Sequence, residues 1–421
     1  MLDIKFIREN KDIVQAGAKK KHVEIDIDKL ISLDDERLQV LKEVEDLRGE
    51  VNKVSMQISR DLESSAKMQL IEEMRVVKED IKQKEEKLKA VMEEWQVLML
   101  QVPNVPDISV PDGATDAENQ EVKVFGEKPA FDFTPKSHIE VMTNLKMLDL
   151  ERGTKVAGFR GYFLTGEGAK LQFALWRFVQ DFFSEKSDWQ QMIVPSLVRR
   201  EVFLGTGYLP QGEDDLYKTQ DGEYLAGTAE VATMGYYMGE VLEKNNLPIK
   251  ILSFSDAFRR EAGSHGKDTK GILRVHEFYK FEQVVLCEAN HESSVKLHEE
   301  IQNNTEELMQ MLGIPYHVVV NCAGDLGLGQ VKKYDIEAWI PSENTYRETG
   351  SASYFHDFQT RRLNIRYRDD DGKLKFVHSL NNTALSGRPL IAIVENYQQE
   401  DGSIKIPEVL RKYMGGKEFI K

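Results

Sequence analysis

Apolar positions in the first hundred residues recur in steps of four and three. One run is Val40, Val44, Leu47, Val51, Val54, Ile58. A second is Leu70, Met74, Val77, Ile81, Lys84, Leu88, Val91, Trp95, Leu98, in which Lys84 is the only polar member. Steps averaging ~3.5 keep an apolar seam facing a partner helix. Helix breakers are missing where the seams run. No proline precedes Pro103, and no glycine lies between Gly49 and Gly113. Between the seams the chain reads Leu62-Glu63-Ser64-Ser65-Ala66-Lys67, polar at its centre, with serines able to cap the following helix. The pattern predicts an antiparallel coiled-coil helical hairpin within one chain. Its helices would have roughly 30 residues and span about 45 Å at ~1.5 Å per residue. A hairpin that buries only its seam projects from the body. The same periodicity also fits an oligomerisation coiled coil.

Five of the 12 prolines fall between Pro103 and Pro135, which marks 103–135 as an extended, turn-rich linker. Beyond it the pattern changes. Strand-like runs follow one another: FRGYFL, MIVPSLV, IKILSFS, FEQVVL, YHVVVN, YDIEAWI, LNIRYR and LIAIV. Two segments have helical periodicity, AKLQFALWRFVQDFFSE and ESSVKLHEEIQNNTEELMQML. Strands following strands, with occasional helices, predict an α+β fold with a mainly antiparallel sheet flanked by helices. The expected division is a helical domain at 1–102, the linker at 103–135 and a second domain at 136–421. A glycine-rich Rossmann or P-loop fingerprint is missing, so any nucleotide is held by another route.

Composition removes several classes. Two cysteines, Cys287 and Cys322, are too few for a disulfide scaffold or a Cys-based zinc site. No apolar run approaches the ~18–20 residues of a membrane helix. The opening MLDIKFIREN is not a secretory signal, and a cytoplasmic location is expected. The formal charge of −15 argues against a binder of polyanions in general. From Arg48 to Lys89 ten Lys/Arg meet nine Asp/Glu, the balance of an ordinary solvated face.

Four segments could carry chemistry. Phe258 to Phe278 sets two strand-like ends around a polar loop containing Gly263, Gly266 and Gly271 with Lys267, Lys270 and Arg274. Guanidinium forks and backbone N–H groups in such a hairpin suit phosphates. A solvated surface loop has the same composition. Gly227-Thr228-Ala229-Glu230 reads as a strand-to-helix joint, or simply a cap. Arg347-Glu348-Thr349-Gly350-Ser351-Ala352-Ser353 offers a carboxylate and hydroxyls suited to Mg²⁺. Leu380 to Glu395 places Arg388 in a loop feeding an apolar segment.

Together, and in this order, these segments resemble the seryl-tRNA synthetases of bacterial type, a family of class II aminoacyl-tRNA synthetases. DWQQMIVPSLV is similar to motif 1, FRREAGSHGKDTKGILRVHEFYKFEQV to motif 2, and SLNNTALSGRPLIAIVENYQQEDGSIKIPEVLRKYMGG to motif 3 and the family's C-terminus. The resemblance implies a homodimer, a tRNA-binding helical arm, and ATP-dependent attachment of serine to tRNA(Ser) and tRNA(Sec) through seryl-adenylate. It implies Arg259, Arg388 and Glu348 as catalytic residues. It implies serine contacts from Thr228, Ala229, Glu230, Arg259, Glu282 and Thr383. ATP would meet Arg259, Arg260, Glu261, Val275, Glu348, Thr349, Gly350, Ser351 and Arg388. Mg²⁺ would sit with ATP on Glu348 and Ser351, and no zinc is expected. The loop before Arg388 is one residue shorter than the usual spacing, so Ser386 and Gly387 have no assigned counterparts. Arg260 and His265 stand where the family often has smaller or different residues. A synthetase for another small amino acid and a catalytically inactive relative remain the competing readings.

Overall fold

The two apolar seams become the facing stripes of two long helices. In the computed structural model, residues 1–59, 63–264, 266 and 268–421 are described. They divide into two compact units, Met1–Pro103 and Asn104–Lys421. The first contains α1 (Ile4–Glu9), α2 (Lys11–Lys20), α3 (Ile27–Ile58) and α4 (Ser64–Gln101). Helices α3 and α4 have 32 and 38 residues. Arg60, Asp61 and Leu62 lie outside the described residues. Every seam position is buried or half-buried, with Val40, Val44, Met74 and Val91 buried most deeply. Ion pairs join Lys29 to Glu94 (3.8 Å), Glu36 to Lys87 (2.7 Å) and Glu43 to Lys84 (2.7 Å). One number rises as the other falls, so the helices run antiparallel. Lys84, the polar break in the seam, is thus matched by Glu43 across the hairpin. Solvent screens such pairs, and the apolar seam holds the arm together. The seam is covered within one chain, which answers the alternative of a coiled coil between chains.

The second unit is built on an eight-stranded sheet. Its strands are β1 (Gln120–Phe125), β2 (Trp189–Ile193), β3 (Ile249–Phe258), β4 (Glu277–Cys287), β5 (Tyr316–Val320), β6 (Lys332–Ile340), β7 (Thr345–His356) and β8 (His378–Leu385). The spatial order is β1-β5-β6-β7-β8-β4-β3-β2. Only the β2–β3 pair is parallel. Helices α5 (Gly166–Ser184), α6 (Ala229–Tyr236), α7 (His291–Met311) and α8 (Arg388–Asn396) pack around it. Helix α7 lies across β7 and β8. Leu171, Leu175 and Val179 of α5, Ile301 and Leu308 of α7, and Leu390 and Ile393 of α8 enter one core with the sheet. No helix among the described residues is long and apolar enough to cross a membrane.

Three features differ from the pattern reading. LIAIV is not a strand but the middle of α8, with each of its five residues at most 1% exposed. A run that is apolar all round has no period, so strand and helix look alike; Pro389 in the first helical turn was the usable signal. Residues 104–135 do more than connect, and they are largely extended around a short turn at Asp116–Glu118. They supply edge strand β1, whose Glu121 and Lys123 interrupt its apolar positions, a pattern common on edges. The same segment is pinned by Asn104, which donates to the Gly329 and Phe355 carbonyls at 3.0 and 2.7 Å. Finally, β7 and β8 lie at the centre of the sheet although neither reads as a strand from its hydrophobicity.

Candidate active site

Strands β3 and β4 run antiparallel out to the pair Phe258–Glu277. The intervening loop is closed by charge. Arg274 bonds Glu261 at 2.6 Å and Asp268 at 3.2 Å, and Asp268 also meets Arg347 from β7. Burial pushes the Asp268 carboxyl up, but Arg347 and Arg274 outweigh it and hold it below the usual carboxylate range. This clasp folds the loop back over the sheet. Beneath it lies a cavity lined by Arg259, Glu261, Val275, Phe278, Lys280, Glu348, Gly350, Ser351, Thr383 and Arg388, among others. Ser386 and Gly387 line it too. His265 and Lys267 lie outside the described residues.

Arg259, Arg274 and Arg388 line this cavity, and Arg274 is engaged by the clasp of Glu261 and Asp268. Arg259 sits over the Phe278 ring at 5.3 Å, and its Nε and Nη2 donate to the Gly227 carbonyl over long distances of 3.4 and 3.3 Å. Its remaining donors are available to an anion. Arg388 donates to the Leu273 carbonyl at 3.1 Å and the Glu348 carbonyl at 2.7 Å, and lies 3.5 Å from the Glu348 carboxylate. Burial raises the Glu348 pKa, but Arg388, Lys333 and Arg259 pull it below its ordinary value, so it is a carboxylate.

Glu348 and Ser351 are three residues apart, which on a regular strand puts them on opposite faces. A register shift resolves this. Glu348 pairs with Glu337 and Ser351 with Asp335, leaving Thr349 as the extra residue of a bulge. Asp335 and Glu337 alternate onto one face, and so do their partners. Thr349 turns away and donates to the Ile336 carbonyl at 3.0 Å. Opposite Ser351, the Asp335 Oδ1 is buried and has no hydrogen-bond partner. Burial, with the negative charge of Glu348, raises the Asp335 pKa against Lys333. Hard oxygen donors on one face fit Mg²⁺. Among the described residues no cluster of three His, Cys, Asp or Glu could hold a metal alone, and Mg²⁺ commonly completes its shell with substrate phosphates.

Behind the lining residues Lys280 and Thr383 lies a buried group with two carboxylates. Thr228 caps α6, accepting from the Glu230 N–H at 3.4 Å, with Ala229 buried beside it. Glu230, 1% exposed, accepts from Gln359 at 2.7 Å and Tyr208 at 2.9 Å. Burial and nearby Glu282 raise its pKa, although Gln359, Tyr208 and Asn381 oppose the shift. Glu282 on β4 pairs in register with Thr383 on β8, and Lys280 bonds the Glu282 carboxylate at 2.5 Å. The sequence reading missed Lys280, Tyr208 and Gln359. Lys280 was findable, since two charges at alternate positions of an apolar strand share a face. Tyr208 and Gln359 carry no local signal. Arg260 is not brought to the cavity. It is exposed, and its guanidinium donates to the Asp214 carbonyl at 2.9 Å.

Comparisons with known proteins agree with this geometry. The family model described as "Seryl-tRNA synthetase N-terminal domain" matches residues 1–106. That described as "tRNA synthetase class II core domain (G, H, P, S and T)" matches 216–397. The chain is 43% identical over 423 residues to the serine–tRNA ligase of Geotalea uraniireducens, covering 100% of both, and 42% identical over 422 residues to that of Deinococcus radiodurans, covering 100% and 99%. Among solved structures it is similar to the seryl-tRNA synthetase of Pyrococcus horikoshii complexed with ATP, with a TM-score of 0.90, 38% identity and 100% and 99% of the two chains covered. A Giardia lamblia prolyl-tRNA synthetase, at 14% identity and a TM-score of 0.56, shares the fold over 65% of this chain and 54% of its own. With a long helical hairpin, a mainly antiparallel sheet bearing an arginine-lined cavity, and full-length relatives of one activity, the chain belongs to the seryl-tRNA synthetase family of class II aminoacyl-tRNA synthetases, the serine–tRNA ligases.

Proposed function

We propose that the cavity activates serine with ATP to give seryl-adenylate and pyrophosphate, and then transfers serine to the terminal ribose of tRNA(Ser), and of tRNA(Sec) where a cell makes one. The observation that carries this reading is one cavity lined by Arg259, Arg388 and Glu348, whose lining residues Lys280 and Thr383 contact the buried carboxylate of Glu282. A serine carboxylate approaching an α-phosphate meets anion–anion repulsion, and charge grows on the transferring group. Arg259 lies where it can bridge both anions, and Arg388 binds the triphosphate beyond. Glu261 and the backbone at Val275 meet the nucleoside end. Glu348 and Ser351 would hold Mg²⁺, with Asp335 beside them. When bound, that ion neutralises phosphate charge. No side-chain base is needed for the first step, because the attacking carboxylate is already ionised.

Glu230, Glu282, Thr228 and Thr383 select serine by accepting from its ammonium and hydroxyl groups. An analogue without the hydroxyl leaves those groups unpaired, and sites of this kind reject such analogues by ~10⁴ or more. The hairpin α3–α4 takes the tRNA, reading backbone and shape more than bases. A homodimer is supported by exposed apolar side chains near the motif 1 segment, where Phe173, Ile193 and Leu197 are 66%, 85% and 47% exposed. We place the reaction in the cytoplasm, where its substrates are. The test is charging of tRNA(Ser) transcripts with labelled serine. Acceptance by an unrelated tRNA to the same extent would refute the tRNA assignment.

A further inference from the structure

Lys280 is a lysine in an unfavourable place. It is 6% exposed, in the middle of β4, beside Phe281, which enters the core on the alternate position. Lysine is almost never buried without a partner. Its Nζ lies 2.5 Å from the Glu282 Oε2 and 3.4 Å from the Thr383 Oγ1, and that hydroxyl donates to the same Oε2 at 3.5 Å. The three groups form a closed triangle, and Lys280 and Thr383 line the cavity. A buried ion pair is a poor way to stabilise a strand, because desolvation offsets the attraction and apolar residues serve as well. A role in the site explains its position better.

We propose that Lys280 is a positioning residue for amino-acid selection, acting through Glu282. This rests on the serine reading above. The ammonium fixes Oε2 and leaves Oε1 to accept from the substrate. It also balances charge. Glu282 and Glu230 lie close together at this end, and Lys280 is the basic side chain that contacts one of them. Without Lys280 the carboxylate of Glu282 loses its short contact and keeps only the long one from the Thr383 hydroxyl.

The test is ATP–pyrophosphate exchange by the full-length protein with Lys280→Met, Lys280→Gln and Lys280→Arg. Met and Gln should raise the serine KM about tenfold or more, with kcat and the ATP KM within about threefold of wild type. Arg, which keeps the charge and the donors, should recover most of the loss. A merely structural lysine would lower the melting temperature without separating serine KM from ATP KM. An unchanged serine KM in a folded Met or Gln variant overturns the proposal. So does a lowered serine KM, which would make Lys280 a blocking group, or a parallel loss in kcat and ATP KM. If Met and Gln both fail to fold, Arg decides, since a tenfold serine KM defect there also overturns it and a wild-type value upholds it. Wild-type protein without serine-dependent exchange would instead remove the serine reading itself.

Discussion

Replacing Arg259 by lysine keeps the positive charge and removes the fork. In the structure the guanidinium is fixed by the Phe278 face and by two long contacts to the Gly227 carbonyl, leaving its other donors toward the cavity. A lysine reaches one anion as a point charge but cannot bridge two. Two hydrogen bonds to charged groups are then lost or weakened, each worth about 1.5–3 kcal/mol. Their sum, ~3–6 kcal/mol, corresponds to ~10²–10⁴ in kcat/KM at ~1.4 kcal/mol per tenfold. The assay is serine-dependent ATP–pyrophosphate exchange. Because the anchoring contacts are long and few, melting temperature should change little, and tRNA retention on filters should match wild type. Arg259→Lys with more than a tenth of wild-type exchange would refute the bridging role.

Further consequences can be measured separately. Replacing residues 44–83 with a short turn joins the helices where Glu43 meets Lys84, and should leave exchange within about threefold while greatly weakening tRNA charging; unchanged charging would make the arm structural. Glu230 should set the acid limb of serine binding. Its pKa lies above the ordinary 4.5, so serine KM is flat at higher pH and rises as pH falls through that raised value, earlier than for an exposed carboxylate. A pH-independent serine KM down to that range would count against an ionised Glu230. At Gly350 an added Cβ would stand 3.0 Å from the Thr383 Cβ, a tight approach that Thr383 must yield to by a few tenths of an ångström. Gly350→Ala should therefore shift Thr383 and raise the serine KM measured by exchange, and an unchanged serine KM would count against Thr383 as a serine contact.

The arm was legible because a two-helix seam is a purely periodic object: every seam position read from the sequence is buried or half-buried. The sheet was legible only where its strands are apolar. Strands β7 and β8 carry Glu348, Ser351 and Thr383 into the cavity on one face, and Asn382 donates to the Ile301 carbonyl of α7 on the other. Chemistry there overrides the hydrophobic pattern, and the strongest elements of the fold become the least visible. The bulge at Thr349 is likewise silent in composition, although it makes the Glu348-to-Ser351 spacing usable. LIAIV failed for the opposite reason, since complete burial erases periodicity. The net charge of −15 misled as well, for it sums an acidic body with a charge-balanced arm, and tRNA binding depends on local placement of Lys and Arg.

The most direct measurement is exchange of labelled pyrophosphate into ATP, with serine, alanine, glycine and threonine supplied in turn and no tRNA present. The cavity described above predicts exchange with serine and at most ~10⁻⁴ of that rate with alanine at equal concentration, since alanine leaves the hydroxyl-binding groups unpaired. No exchange with serine, or comparable rates with serine and alanine, would contradict it.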